Sequence, residues 1–270
     1  MKPVPLADAL HEQHFGGKAA SLARSLSAGL PVPPGLALGT THVDAVFDGH
    51  AETVMHLRAG FTALAGPCAV RSSAIGEDSE GASFAGQHVT VLNVRREDQV
   101  VDAVLKVRES AHTESARAYR RTLGMDEAPR VGVVVQRMIE PDCAGVMFTK
   151  NPLNGSDERV IEASWGLGES VVAGLVVPDN YALDPQGRVL RRIAGEKDVA
   201  LRSAPEGGTV EEPVDDDLIT ALCLSDGMLA QLHGLAERCE SFFGTGLDIE
   251  WAFSSGTLYL LQCRAMTRNR

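Results

Sequence analysis

The sequence predicts an α+β fold in two lobes. Three observations carry this reading. Runs of β-branched residues and helical periodicities mix without a strict strand–helix–strand rhythm. The 270 residues, 44% of them apolar, suffice for one large domain or two lobes. A mild boundary falls near Ala128-Pro129, dividing residues 1–128 from 129–270.

The elements follow in order. KAASLARSLSAGL (18–30) places Leu22, Leu26 and Leu30 on one helical stripe, which PVPPG should stop. LALGT suits a short strand, residues 51–65 a helix, and PCAVR (67–71) a strand. HVTVLNV (88–94) alternates as a strand, and 97–123 has the pattern of a long amphipathic helix. VGVVVQRMI (131–139) is apolar and β-branched, as expected of a central strand. CAGVMFTKNP and RVIEASWGLGE read as strand-to-loop units, and 178–213 as short strands with Pro and Gly turns. Residues 215–243 suggest a helix, weakened by Gly227 and Gly234.

Twenty-five basic against 36 acidic residues, net −11, with no basic tract, argue against a nucleic-acid binder. Five scattered cysteines without a C-x-x-C pair read as reduced thiols. MKPVPLADALHEQHF has no apolar core of a signal peptide, and no apolar run approaches the roughly 18 residues of a membrane span. The expectation is a soluble cytoplasmic protein.

The last 24 residues carry the most specific geometry. LDIEWAF and TLYLLQCRAMT flank Ser254-Ser255-Gly256, which suits a three-residue hairpin loop with Gly256 left-handed. That register sets Trp251 opposite Tyr259 and Ile249 opposite Leu261, on a core face. On the other face Asp248 meets Gln262, with Glu250 and Arg264 beside them. A two-residue Ser255-Gly256 turn would instead send Glu250 and Gln262 to opposite faces. Carboxylate and amide oxygens on one face suit Mg²⁺ with its waters and nucleotide phosphates, and Arg264 could hold a phosphate oxygen. An ordinary solvated strand face fits the same residues.

Two cationic points lie earlier. Gly16-Gly17-Lys18 opens the first helix, where amides and the helix dipole favour an anion, though a plain helix-entry turn also fits. It is not a Walker A loop, because Glu12 and Ala19 occupy positions that motif reserves for glycine and Ser/Thr. Arg71 ends a strand and precedes the small-residue stretch SSAIGEDSEGASFAGQ. It could clamp a phosphate or pair with Glu77, Asp78 or Glu80.

Taken together, GGK, VRSSA, SFAGQH, QRMI, FTKNP, ASWGLGES and DIEWAF, in this order, resemble the nucleotide-binding domain of the phosphoenolpyruvate synthase, pyruvate phosphate dikinase and rifampin phosphotransferase family. The likeness is strongest to the rifampin phosphotransferase type and runs from about Gly16 to Arg264. It implies an ATP-grasp fold across 1–270, with the nucleotide cleft between two lobes. It implies that Lys18 and Arg71 grip ATP phosphates and that Ser79–Gln87, including Ser83, Gly86 and Gln87, forms a glycine-rich lid. Gln136, Met138 and Ile139 would be the hinge that meets adenine, and Glu169 would face the same cleft. Glu250 and Gln262 would hold Mg²⁺, with Asp248 and Arg264 completing the phosphate site; Lys18, Arg71, Asp248 and Arg264 would be the catalytic set.

The resemblance further implies cleavage of Mg-ATP to AMP and transfer of a phosphoryl group to a carrier histidine, then to a small-molecule acceptor. No swivelling phosphohistidine domain is recognisable, so that histidine is expected on another chain or a missing domain. Two alternatives stay open: a stand-alone small-molecule kinase of the same fold, and a non-catalytic ATP-binding subunit.

Overall fold

The computed structural model describes residues 1–76, 89–113 and 130–266. The chain divides into two compact units: Met1–Ser27 with Pro33–Met138 and Ala204–Gly208, and Ala28–Val32 with Ile139–Ser203 and Thr209–Arg270. The main crossing falls at Met138–Ile139 instead of Ala128–Pro129. The reason is that Val131–Arg137 is the middle strand of the first unit's sheet and cannot leave it.

That sheet is antiparallel, in the order β1 (Val4–Pro5), β2 (Gly35–Leu38), β5 (Val131–Arg137), β3 (Cys68–Ala74), β4 (Thr90–Val94). The valines of β5 are buried on both faces, as a central strand requires. One side is covered by α3 (Thr40–Phe47), α4 (Ala51–Ala63) and α5 (Glu97–Ser110). Their Val43, Val46, Leu57, Phe61, Val104 and Val107 pack with Val70, Val133 and Val135. Two short helices precede β2: α1 (Glu12–Phe15) and α2 (Gly17–Ser27).

Several boundaries differ from the sequence reading. The first long helix ends at Ser27, before Leu30, because Gly29 (φ +68°) leaves helical conformation. The α5 helix is described to Ser110, and residues 114–123 of the expected 97–123 helix lie outside the described residues. The helix Thr40–Phe47 was not expected at all.

In the second unit a six-stranded antiparallel sheet runs β13 (Thr257–Ala265), β12 (Leu247–Ser254), β6 (Cys143–Phe148), β7 (Arg159–Trp165), β8 (Asp179–Leu183), β9 (Val189–Ile193). A separate ribbon pairs β10 (Val199–Ser203) with β11 (Thr209–Pro213). A short helix, α6 (Glu169–Val172), follows β7, and α7 (Asp226–Phe243) packs on β12 and β13 through Leu229, Leu232, Leu235 and Cys239. The helix expected from 215 begins only at Asp226, where the Ser225 hydroxyl accepts a hydrogen bond from the Met228 amide at 3.3 Å. Gly227 and Gly234 lie inside it.

Odd-numbered residues of β12 and β6–β8 face the core: Ile249, Trp251, Phe253, Met147, Ile161, Tyr181 and Leu183 are buried. Trp251 is a fully buried core residue that stands opposite Gly145. A Cβ on Gly145 would stand 1.9 Å from the Glu162 carbonyl oxygen and 3.0 Å from the indole ring. All five cysteines are free and buried. Among the described residues no helix is long and apolar enough to cross a membrane.

Candidate functional site

In the first unit the two cationic motifs meet. Gly16 (φ +83°) lies so close to β3 that a Cβ there would sit 1.9 Å from the Ser73 carbonyl oxygen. Only glycine satisfies both the conformation and the approach. The Ala19 amide donates to Ser73 Oγ at 2.9 Å, and Lys18 Nζ donates to the Ser72 carbonyl at 3.2 Å. The N-terminus of α2, with its partial positive charge, is thereby set on the end of β3. Arg71 lies two residues before Ser73 and so shares its face. In the register Arg71 stands opposite Val134, and Ala69 opposite Gln136, which puts Gln136 on that same face. Lys18, Arg71 and Gln136 are therefore brought to one side of one sheet.

The hinge residues already have backbone roles. Gln136 is buried and its Nε2 donates to the Pro33 carbonyl at 3.2 Å; the Met138 amide donates to the Pro67 carbonyl at 2.8 Å. Met138 and Ile139 are the residues at which the chain passes from one unit to the other. The lid residues Ser83, Gly86 and Gln87 lie outside the described residues, as do the acids Glu77, Asp78 and Glu80.

The terminal hairpin corrects the expected turn and pairing but keeps Asp248, Glu250, Gln262 and Arg264 on one face. Its loop is the two-residue Ser255-Gly256, both with positive φ (48° and 75°), and Ser254 pairs with Thr257. Phe253 then faces Leu258 and Trp251 faces Leu260, so the expected Trp251–Tyr259 pair is not formed. A register shift follows at Glu250/Trp251, where Leu261 is one residue too many. Beyond it Glu250 stands opposite Gln262, Ile249 opposite Cys263 and Asp248 opposite Arg264. The predicted Asp248–Gln262 and Ile249–Leu261 pairs are thus shifted by one. The bulge undoes the face change that a two-residue turn alone would impose.

Asp248, Glu250, Gln262 and Arg264 share one face. Arg264 donates through Nε and Nη2 to Asp248 Oδ2 at 2.9 and 2.7 Å, and both side chains are largely buried. Burial pushes the Asp248 carboxyl above the usual carboxylate range, against the opposing pull of the Arg264 charge. Glu250 and Gln262 supply a carboxylate and an amide side by side, the hard-oxygen chemistry that suits Mg²⁺. On the same face α6 packs at the Ala144 end: a Cβ on Gly168 would lie 3.6 Å from that of Ala144. Glu169, next in sequence, opens this short helix.

Two features were missed from sequence. Glu162 lies on the Glu250 side of the sheet, opposite Val146. The second is a closed network on the core side. Fully buried Asp179 accepts from Lys197 Nζ at 2.5 Å, the Gly195 amide at 2.8 Å and the Cys223 amide at 2.7 Å, with Tyr181 Oη at 3.2 Å. The alternation in RVIEASW could have indicated Glu162; nothing local links Asp179 to Lys197.

Residues 50–270 match the family described as pyruvate phosphate dikinase, AMP/ATP-binding domain. The chain belongs to that family. Among the relatives of this pyruvate phosphate dikinase-type domain is a protein named "Probable phosphoenolpyruvate synthase" from Methanothermobacter thermautotrophicus. It is 41% identical over 201 residues, covering 74% of this chain and 29% of the relative. Rifampicin phosphotransferase of Bacillus subtilis is 37% identical over 201 residues, covering 74% and 23%. The chain thus spans less than a third of the length of either. D-alanyl-alanine synthetase A of Vibrio cholerae aligns over 96% of this chain and 57% of its own, at 13% identity and a TM-score of 0.42, too loose a likeness to add to the assignment.

Proposed function

We propose that this chain is the nucleotide module of an ATP-dependent phosphotransferase, of ATP-grasp fold and cytoplasmic. The observation that carries the reading is the Glu250–Gln262 pair beside Asp248–Arg264, in a chain of a family described by AMP/ATP binding. Lys18 and Arg71 hold the polyphosphate of ATP by charge and hydrogen bonds. Arg264, oriented by Asp248, takes a further phosphate oxygen. Gln136, Met138 and Ile139 lie against the base, and Ser83, Gly86 and Gln87 cover the phosphates. Glu169 belongs to the same nucleotide site. Glu250 and Gln262 hold Mg²⁺, which when bound neutralises phosphate charge. Catalysis then rests on positioning and on fixed charges placed before the bond breaks.

The acceptor is a histidine on a carrier domain or protein: it takes the β-phosphoryl group as AMP leaves, the γ-phosphate goes to water or a second acceptor, and the histidine passes its phosphoryl group to a small molecule. Incubation with Mg-ATP and a candidate carrier should yield AMP and an acid-labile phosphohistidine. Formation of ADP alone would sink the double transfer. Lys18→Met and Arg71→Met should each weaken calorimetric binding of a nonhydrolysable ATP analogue roughly tenfold or more. Undiminished binding in both would remove these residues from the site.

A further inference from the structure

We propose that Glu162 is a further residue of the nucleotide site, whose carboxylate accepts hydrogen bonds from the water shell of the divalent cation that accompanies the nucleotide. The proposal rests on the nucleotide reading above and extends it to a residue two strands away from the hairpin.

The sheet register supplies the geometry. Gln262 pairs with Glu250, Glu250 with Val146, Val146 with Glu162, and Glu162 with Asn180, forming one row across five strands. Every member of that row points to the same face. Adjacent strands are about 4.8 Å apart, so Glu250 and Glu162 are roughly 10 Å apart at the backbone with only Val146 intervening. Both side chains rise from the same face, so that spacing of roughly 10 Å leaves room between the two carboxylates for an ion with its waters. Mg²⁺ normally keeps several of its waters, and those waters need acceptors.

The environment of Glu162 gives no structural reason for a charge there. It is half-buried, and among the described residues its carboxylate has no hydrogen-bond or ion-pair partner; burial alone raises its pKa. The neighbouring row repeats the pattern independently. Ser164, two residues on and on the same face, is 1% exposed, and its Oγ has no partner among the described residues. Its row is completed by Ala144 and Ala252, which offer only methyl groups. Buried polar groups are nearly always satisfied, so the partnerless Ser164 hydroxyl, on the same face as the half-buried Glu162, points to a polar ligand on this face. Among the described strand residues the charged groups on this face are Asp248 and Arg264, paired with each other, then Glu250, and at the far end of the row Arg191, which stands opposite Ala182 and donates to Asn180 Oδ1. A bare carboxylate added to them would repel polyphosphate unless a cation accompanies it.

The test uses the whole chain and calorimetry with a nonhydrolysable ATP analogue over a range of Mg²⁺ concentrations. Glu162→Gln keeps the shape and removes the charge. It should raise the Mg²⁺ concentration for half-maximal binding about tenfold, the usual effect of losing an outer-shell partner. Binding of the metal-free analogue should stay unchanged or tighten, and the melting temperature should not fall. Glu162→Asp should retain the wild-type cation dependence more nearly. Equal weakening with and without Mg²⁺, or an unchanged Mg²⁺ dependence, would overturn the proposal while leaving nucleotide binding intact. A wild-type chain that binds no analogue would overturn the nucleotide reading itself, and this proposal with it.

Discussion

Glu250 stands opposite Gln262 even though the turn that joins their strands has only two residues. The pairing depends on the extra Leu261, which changes strand parity after the Trp251–Leu260 pair. Ser255 and Gly256 both adopt left-handed conformation, which an L-residue other than Asn or Asp tolerates poorly. Ser255→Asn should therefore stabilise the chain by roughly half a kcal/mol, read as a higher melting temperature. It should leave the Ser255 amide free to donate to Asp142 Oδ2, as it does at 2.6 Å. Gly256→Val should cost about 1–2 kcal/mol.

The Asp248–Arg264 pair separates stability from binding. Arg264→Met strands a desolvated carboxylate and should cost roughly 1–3 kcal/mol in chemical denaturation. The double variant Asp248→Asn with Arg264→Met should recover most of that loss. Nucleotide affinity should remain at least about tenfold down in both, because the guanidinium is missing from each. Restored affinity in the double variant would mean that Arg264 serves the fold alone.

Gly16 is the pivot on which α2, with Lys18, is seated against β3. Gly16→Ala asks a residue with φ +83° to carry a methyl group into the Ser73 carbonyl. The expected cost is about 2–3 kcal/mol, accompanied by weaker ATP-analogue binding as Lys18 loses its seat on Ser72. A variant with unchanged melting and binding would refute that coupling.

Asp179 sets an acid limit. Burial alone would raise its pKa, but hydrogen bonds from Cys223, Lys197 and Gly195 outweigh it and hold the carboxyl below its usual range. Its folded-state pKa lies below the unfolded value of about 3.9, so its contribution is present above that value and is lost as pH falls through the folded pKa. Melting temperatures measured from pH 7 down to 3 should show this loss only at the acid end. Asp179→Asn should flatten that part of the profile. Lys197→Met, which leaves the carboxylate buried without its cation, should cost roughly 3–5 kcal/mol at neutral pH.

Much of this was legible along the chain because it rests on local periodicity. Val131 to Val135 announce a doubly buried strand, and Asp248, Glu250 and Arg264 announce one sheet face. The turn was misread because a glycine at the third position suits a three-residue loop equally well. The Leu260-Leu261 doublet, where alternation breaks, was the signal for a bulge. Glu162 was hidden because its neighbours in the row come from strands far apart in sequence. The Asp179–Lys197 contact exists only once the sheet and the segment after β9 have closed on each other, and no local pattern encodes that. The Thr40–Phe47 helix is too short for its periodicity to stand out.

The burial of every native thiol makes the chain a ready host for a spectroscopic reporter. Cys68 and Cys143 are pushed up to about 12 by desolvation and Cys223 higher still, so these three offer no thiolate near neutrality, and Cys239 and Cys263 are likewise buried. A cysteine introduced at Leu153, which is 94% exposed, would react with a maleimide dye far faster than any of them. Labelling there needs no prior removal of the natural cysteines, so fluorescence could follow the untouched core during titrations.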